Sequence, residues 1–176
     1  MTQPAGALIF LDETGVATDL VRRYGRGPRG ARVIDHAPWG HWEMHTVIAG
    51  LRTEGLMASA VLEGALDADS FVAYVEQILV PAVRPGDTVI LDNLLVHKDR
   101  RAAEALGQAG ATLRFLPPYS PDLNPIELAF AKLKAFLRAT RPRSFDAVCT
   151  RVGEALRLYS AAECAAYVRH CGYSVL

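Results

Sequence analysis

The 176-residue sequence has no excess charge of either sign: Lys+Arg and Asp+Glu stand at 19 each. A protein that holds a polyanion by its total charge alone is therefore excluded. There is no apolar stretch of about 18 residues and no basic segment leading into an apolar run, so neither a membrane-spanning helix nor a signal peptide is expected. Cysteine is scarce. Cys149, Cys164 and Cys171 are odd in number and show neither a CxxC pair nor Cys/His zinc spacing, which speaks against a disulfide framework or a structural zinc and for reduced thiols in a cytoplasmic protein. Internal repeats, low-complexity tracts and long linkers are also lacking. An apolar fraction of 51% with 22% charged residues is ordinary for one soluble globular domain.

What charge there is sits unevenly. Val21 to Val33 carries Arg22, Arg23, Arg26, Arg29 and Arg32 without an acid, and Lys132 to Arg143 carries Lys132, Lys134, Arg138, Arg141 and Arg143, again without one. Two basic patches on a neutral chain suit local contact with a polyanion, although a solvated surface would read the same way.

Ala7 to Leu11 is a short apolar run that ends in Asp12-Glu13-Thr14-Gly15, the pattern of a buried strand with a polar tip. The Arg- and Gly-rich segment 22–32 reads as an exposed loop or open hairpin, with Ala31 to Ile34 as a brief strand. Met44 to Leu51 and Leu56 to Leu62, joined by Arg52-Thr53-Glu54-Gly55, form an antiparallel hairpin. From Asp67, a plausible N-cap, Phe71, Val72, Val75, Ile78 and Leu79 share one helical face, and Pro81 or Pro85-Gly86 stops the helix. Thr88 to Leu91 is a second buried strand ending in Asp92-Asn93, followed by a helix from about Lys98 to Gln108. Thr112 to Leu116 is another short strand. A helix then starts at Asn124-Pro125, with Asn124 as N-cap and Pro125 at the first helical position, and two more helices run over about 145–159 and 161–171. The order predicts a mixed α/β sheet with helices packed on its faces.

An aspartate at a strand end is commonly no more than a turn or capping residue, and Glu127, three residues after Asn124, suits a capping box on the positive end of its helix. The recurrence is what matters. Parallel strands bring their C-terminal ends to one edge, where α/β sheets build their sites, so Asp12 and Asp92 should be neighbours. Three carboxylates close together repel and raise one another's pKa values, a conflict that a divalent cation removes. Magnesium takes carboxylate oxygens and keeps waters that phosphate oxygens can replace. Two ions about 4 Å apart can activate an attacking hydroxyl and stabilise a leaving oxygen, with Asp12 or Asp92 as the bridge.

Phe10-Leu11-Asp12-Glu13-Thr14, then Leu91-Asp92-Asn93 with His97 and Lys98, then Leu116-Pro117-Pro118-Tyr119-Ser120-Pro121-Asp122-Leu123-Asn124-Pro125-Ile126-Glu127 resemble the three signature blocks of the DDE transposases of the mariner superfamily, in particular its bacterial insertion-sequence branch. The 34 residues between Asp92 and Glu127 match a spacing characteristic of that superfamily, and the resemblance runs from Leu8 to about Leu137. It implies an α/β, ribonuclease-H-like mixed sheet with helices on both faces, in a single catalytic domain over 1–176 with C-terminal helices at about 144–171. It implies that Asp12, Asp92 and Glu127 are the catalytic, metal-binding triad for Mg2+ or Mn2+, as a pair of ions, with Asn93 and His97 in support. The activity it implies is DNA strand cleavage at transposon ends and strand transfer into target DNA, usually at a TA step.

On this reading Arg22, Arg23, Arg26 and Arg29 of the loop, with Lys132, Lys134 and Arg138 of the later helix, hold DNA backbone, and nothing resembles a base-reading device. Family members carry helix-turn-helix modules ahead of this domain, whereas here the first catalytic strand stands almost at the start. The expected partner is thus a separate or frameshift-linked helix-turn-helix protein in a bacterial, nucleoid-associated setting, and a homodimer is compatible with the resemblance. An inactive or domesticated DNA-associated protein is the alternative. A phosphatase of the haloacid dehalogenase type would need a second aspartate where Thr14 stands. Trp39 and Trp42, flanking His41, suit stacking on unpaired bases but fit core or lid better. Asp122 reads as a turn residue and Glu13 as structural, pointing to the opposite side of its strand from Asp12.

Overall fold

A computed structural model describes residues 7–22, 24–37 and 39–174. Five strands, β1 (Leu8–Ala17), β2 (Met44–Arg52), β3 (Gly55–Glu63), β4 (Thr88–Leu91) and β5 (Thr112–Phe115), lie in the order β3-β2-β1-β4-β5. β1 and β2 pair antiparallel, as do β2 and β3, while β1–β4 and β4–β5 are parallel. The helices are α1 (Ala68–Tyr74), α2 (Arg100–Gln108), α3 (Ile126–Thr140), α4 (Phe145–Leu156) and α5 (Ala161–His170).

Both faces of the sheet are covered, and the alternation along β1 shows how. Phe10 and Val16 join a core built with Ile126, Phe130, Leu133 and Leu137 of α3 and with α4 and α5. Ile9 and Leu11 join a second core with Phe71 and Val72 of α1 and Ala102 and Leu106 of α2. A strand buried on both faces must be apolar at successive positions, which is why Ile9-Phe10-Leu11 and Val89-Ile90-Leu91 are unbroken hydrophobic runs. The buried Arg52–Asp87 pair ties β2 to the turn before β4, at the N-terminal end of the β1–β4 pair; β1 itself runs on past Asp12 to Ala17, because β2 continues to pair with it.

The hairpin and the four-residue strand β4 fall where the hydrophobic pattern predicts. Asp67 caps α1 by accepting from the Ser70 N–H at 2.8 Å, and the helix then widens into a π turn at Val75–Leu79 and tightens at Val80–Ala82 around Pro81. Helix α2 starts two residues later than expected, because Asp99 caps it, accepting from the Arg101 N–H at 2.9 Å.

Two expectations fail in the excursion between β1 and β2. Ala31 to Ile34 forms no strand: β1 already has β2 on one side and β4 on the other, so the segment has no free edge beside it. Trp39 and Trp42 are not core residues but stand out in solvent, Trp39 fully. The base of the excursion is closed by Thr18 N–H to Glu43 O (3.0 Å) and Glu43 N–H to Thr18 Oγ1 (2.9 Å). Among the described residues no helix is long and apolar enough to cross a membrane.

Candidate active site

The parallel register aligns Leu8 with Thr88, Ile9 with Val89 and Phe10 with Ile90. Carried on, the same offset sets Asp12 across from Asp92, just where β4 ends and its chain leaves the sheet. Asp12 lies on the α3 face of the sheet with Phe10, and α3 begins beside it, so Glu127 in the first turn of that helix comes to the same place. All three acids line one cleft of about 520 Å³, together with Glu13, Asn93, Asn124 and the wall Leu116 to Pro121.

The three carboxylates are held differently. Asp12 is only 6% exposed; its Oδ1 accepts from the Glu13 N–H and its Oδ2 from Asn124 Nδ2, each at 2.8 Å. Its pKa is pushed up to about 7, first by burial, which the Glu13 N–H opposes, and further by the charges of Glu13, Glu127 and Asp92. Asp92 is half-buried, and its Oδ1 accepts from the Leu94 N–H (3.1 Å) and meets His97 Nδ1 (2.7 Å). Glu127 is exposed to the cleft.

His97 is fully buried on the turn Leu95–Lys98, its ring 4.9 Å from that of Phe71. Its second nitrogen, Nε2, lies 3.0 Å from Glu13 Oε2. Burial alone would lower its pKa, but the Glu13 and Asp92 carboxylates outweigh burial and the net shift is upward.

Asn124 corrects the sequence reading. It does not cap α3; Pro125 occupies that place with no side-chain cap, so no capping box forms with Glu127. The Asn124 amide turns instead to Asp12, since a hydrogen bond to a buried carboxylate, worth about 1.5–3 kcal/mol, exceeds an exposed cap of about 1 kcal/mol. Its Oδ1 is buried without a partner among the described residues. Glu13 is the other residue whose part the sequence hid. It does point to the opposite side of β1 from Asp12, but there it reaches His97, and it also lines the cleft.

A donor set of carboxylates without thiolate suits a hard divalent cation. The raised pKa of Asp12 and the orphaned Asn124 Oδ1 both mark a place short of positive charge and of hydrogen-bond donors. As the side chains stand, no three of the described His, Cys, Asp and Glu groups converge closely enough to ligate one ion. Asp12 is bonded instead to Asn124 and Asp92 to His97. The residues fit such a cation, which would draw the carboxylates inward.

Residues 7–149 match the family described as DDE superfamily endonuclease. The chain belongs to that superfamily. Its fold is that of Mos1 transposase. A pre-cleavage Mos1 transpososome matches with a TM-score of 0.74 at 13% identity, covering 94% of this chain and 53% of the other. The Mos1 paired-end complex with the left transposon end gives 0.73 at 14% identity (95% and 52%), and the catalytic domain of Mos1 mariner transposase 0.66 at 14% (94% and 77%). The mixed five-stranded sheet is thus ribonuclease-H-like, and the chain spans about half the length of the full Mos1 chains it matches. No protein of curated function matches the sequence.

In this chain of the DDE superfamily the basic candidates separate into distinct groups. Arg22 and Arg138, with Tyr24 and Ala135, line a cleft of about 550 Å³, and Arg22, Arg26 and Arg141 line an adjoining one of about 600 Å³. Both open beside α3, the helix that carries Glu127 in its first turn. Lys134 is half-buried and Arg29 exposed. Arg23 lies outside the described residues. Lys132 is placed otherwise than expected: its Nζ binds both Glu163 oxygens (2.7 and 2.9 Å) and Leu158 O (2.8 Å) over the Tyr159 ring, tying α3 to α5. The two-residue step from 134 to 132 sets that side chain on the opposite side of α3, facing α5.

Proposed function

We propose that this chain is the catalytic domain of a transposase of the mariner superfamily, cleaving DNA at transposon ends and transferring the freed strand into target DNA. The observation that carries the reading is the gathering of Asp12, Asp92 and Glu127 on one cleft at the C-terminal edge of the β1–β4 pair, in a chain of the DDE superfamily. These three residues would hold Mg2+ or Mn2+, and a pair of such ions supplies activation of the attacking hydroxyl and stabilisation of the leaving oxygen. Solved structures of the Mos1 transposase catalytic domain with Mg and with Mn support that choice of metal.

The chain's own residues set the stage. Asn124 holds Asp12 and His97 holds Asp92, while Pro117 and Pro118 form a stiff wall of the cleft. Arg22, Arg26 and Arg138 bind phosphates along the clefts beside α3, assisted by Arg29 and Lys134. Tyr24, 92% exposed between Arg22 and Arg138, offers a ring on which an unpaired base stacks. The Mos1 complexes, a paired-end complex and a transpososome, support transposon ends as substrate. A TA target, a homodimer on DNA and a bacterial insertion-sequence origin in the cytoplasm complete the proposal.

The experiment is Mn2+-dependent nicking of supercoiled plasmid by the wild type and by Asp92→Ala. Nicking by the wild type alone is the expected outcome. Equal nicking by both, or none by either, would refute the assignment.

A further inference from the structure

We propose that Glu13 is a positioning residue which, acting through His97, fixes the carboxylate of Asp92 for metal binding. The inference rests on the metal-site reading above. Three observations meet in it: Glu13 Oε2 lies 3.0 Å from His97 Nε2, His97 Nδ1 lies 2.7 Å from Asp92 Oδ1, and the ring between them is fully buried.

Asp92 needs such a holder. It follows the last residue of β4, so the strand's ladder no longer dictates where its side chain points. Among the described residues the only other bond to its carboxylate is the Leu94 N–H, and that bond falls on the same oxygen, Oδ1. With Oδ1 occupied twice, Oδ2 accepts no hydrogen bond among the described residues, and it is the oxygen left for a cation. The imidazole thus decides which oxygen of Asp92 is free.

The imidazole in turn needs Glu13. It sits against Phe71 on the α1 side of the sheet, the side to which Glu13 points by the alternation of β1. A ring with only one anchored nitrogen can pivot about its Cβ–Cγ bond, whereas a carboxylate on each nitrogen pins it. Two adjacent residues in the middle of β1 therefore serve both faces: Asp12 enters the cleft from the α3 side, and its neighbour Glu13 braces the second aspartate from behind. Side chains that orient metal ligands in this manner change metal affinity by about 10–100-fold when removed.

Mn2+ binding to the whole chain, read by the electron paramagnetic resonance signal of free and bound ion, tests this apart from activity. Glu13→Leu should weaken binding by about tenfold or more. Glu13→Gln keeps an oxygen acceptor opposite His97 Nε2 and should restore affinity to within about threefold of wild type. Wild-type affinity in a folded Glu13→Leu protein overturns the inference, as does a loss in Glu13→Gln equal to that in Glu13→Leu, since charge and not position would then be responsible. If Glu13→Leu does not fold, Glu13→Asp takes its place: it keeps the charge but withdraws the carboxylate by one methylene, and tenfold weaker binding supports the inference while wild-type binding overturns it. Asp92→Asn separates the two levels. Unchanged Mn2+ binding there refutes the metal-site reading itself, whereas loss in Asp92→Asn without loss in the Glu13 variants refutes only the role of Glu13.

Discussion

Replacing Asp12 by Asn should make the metal-free protein less sensitive to rising pH. The Asp12 pKa climbs from 3.8 to about 7 in the folded chain, chiefly through burial, with Glu13, Glu127 and Asp92 adding to it. Below the unfolded value both states keep the proton and the group favours neither. Between the two values the folded chain holds a proton that the unfolded chain has released, so stability falls as pH rises and levels off above the folded pKa. At about 1.36 kcal/mol per unit, some 3 kcal/mol of that loss lies between pH 5 and pH 8. For a chain of this size that is roughly 6–12 °C in melting temperature. The upward shift of His97 acts in the same direction, its contribution being present below its unfolded value and lost as pH rises through the folded one. It is common to both proteins and drops out of the difference. Thermal unfolding in chelator at pH 5 and pH 8 gives the comparison, and added Mn2+ should stabilise the wild type more at pH 8, where no proton competes for the site. Equal pH dependence in wild type and Asp12→Asn would refute the electrostatic account of the cleft.

Asn124→Ala should lower stability by about 1.5–3 kcal/mol and reduce Mn2+-dependent nicking at least tenfold with circular dichroism unchanged, because it removes the donor on Asp12. Lys132→Met should lower the melting temperature yet leave DNA affinity as it was, since Lys132 is engaged with Glu163. Arg22→Ala with Arg138→Ala should weaken DNA binding and flatten the slope of log affinity against log salt by about 1–2, read by fluorescence anisotropy. Leu133→Ala, in the core beneath α3, should cost about 2–5 kcal/mol in denaturant unfolding.

The parts of the fold that local chemistry dictates were legible in the sequence. Unbroken apolar runs gave β4 and the start of β1, which continues past Leu11 to Ala17 along β2, while the polar Arg52-Thr53-Glu54-Gly55 turn gave the hairpin and Asp67 marked the start of α1. The superfamily was legible in the three acidic blocks, which fall within the matched residues. What stayed hidden depended on partners distant in the chain. Asn124 before Pro125 carries every local sign of a cap, and only the nearness of Asp12, 112 positions earlier, draws its amide away. Glu13 points away from Asp12, as the alternation of β1 dictates, and nothing local shows that His97 waits on that face. Lys132 and Lys134 are alike in sequence, and the docking of α5 separates them. The exposure of Trp39 and Trp42 follows from an excursion with no free strand edge beside it.

The central claim is that three acids from distant segments share divalent metal. Crystals soaked in Mn2+ and measured at an anomalous wavelength address it directly. The account predicts an anomalous peak in the cleft within about 2.1 Å of carboxylate oxygens from Asp12 and Asp92, with Glu127 completing the set. Manganese bound elsewhere, or a cleft that takes none at saturating concentration, would contradict it.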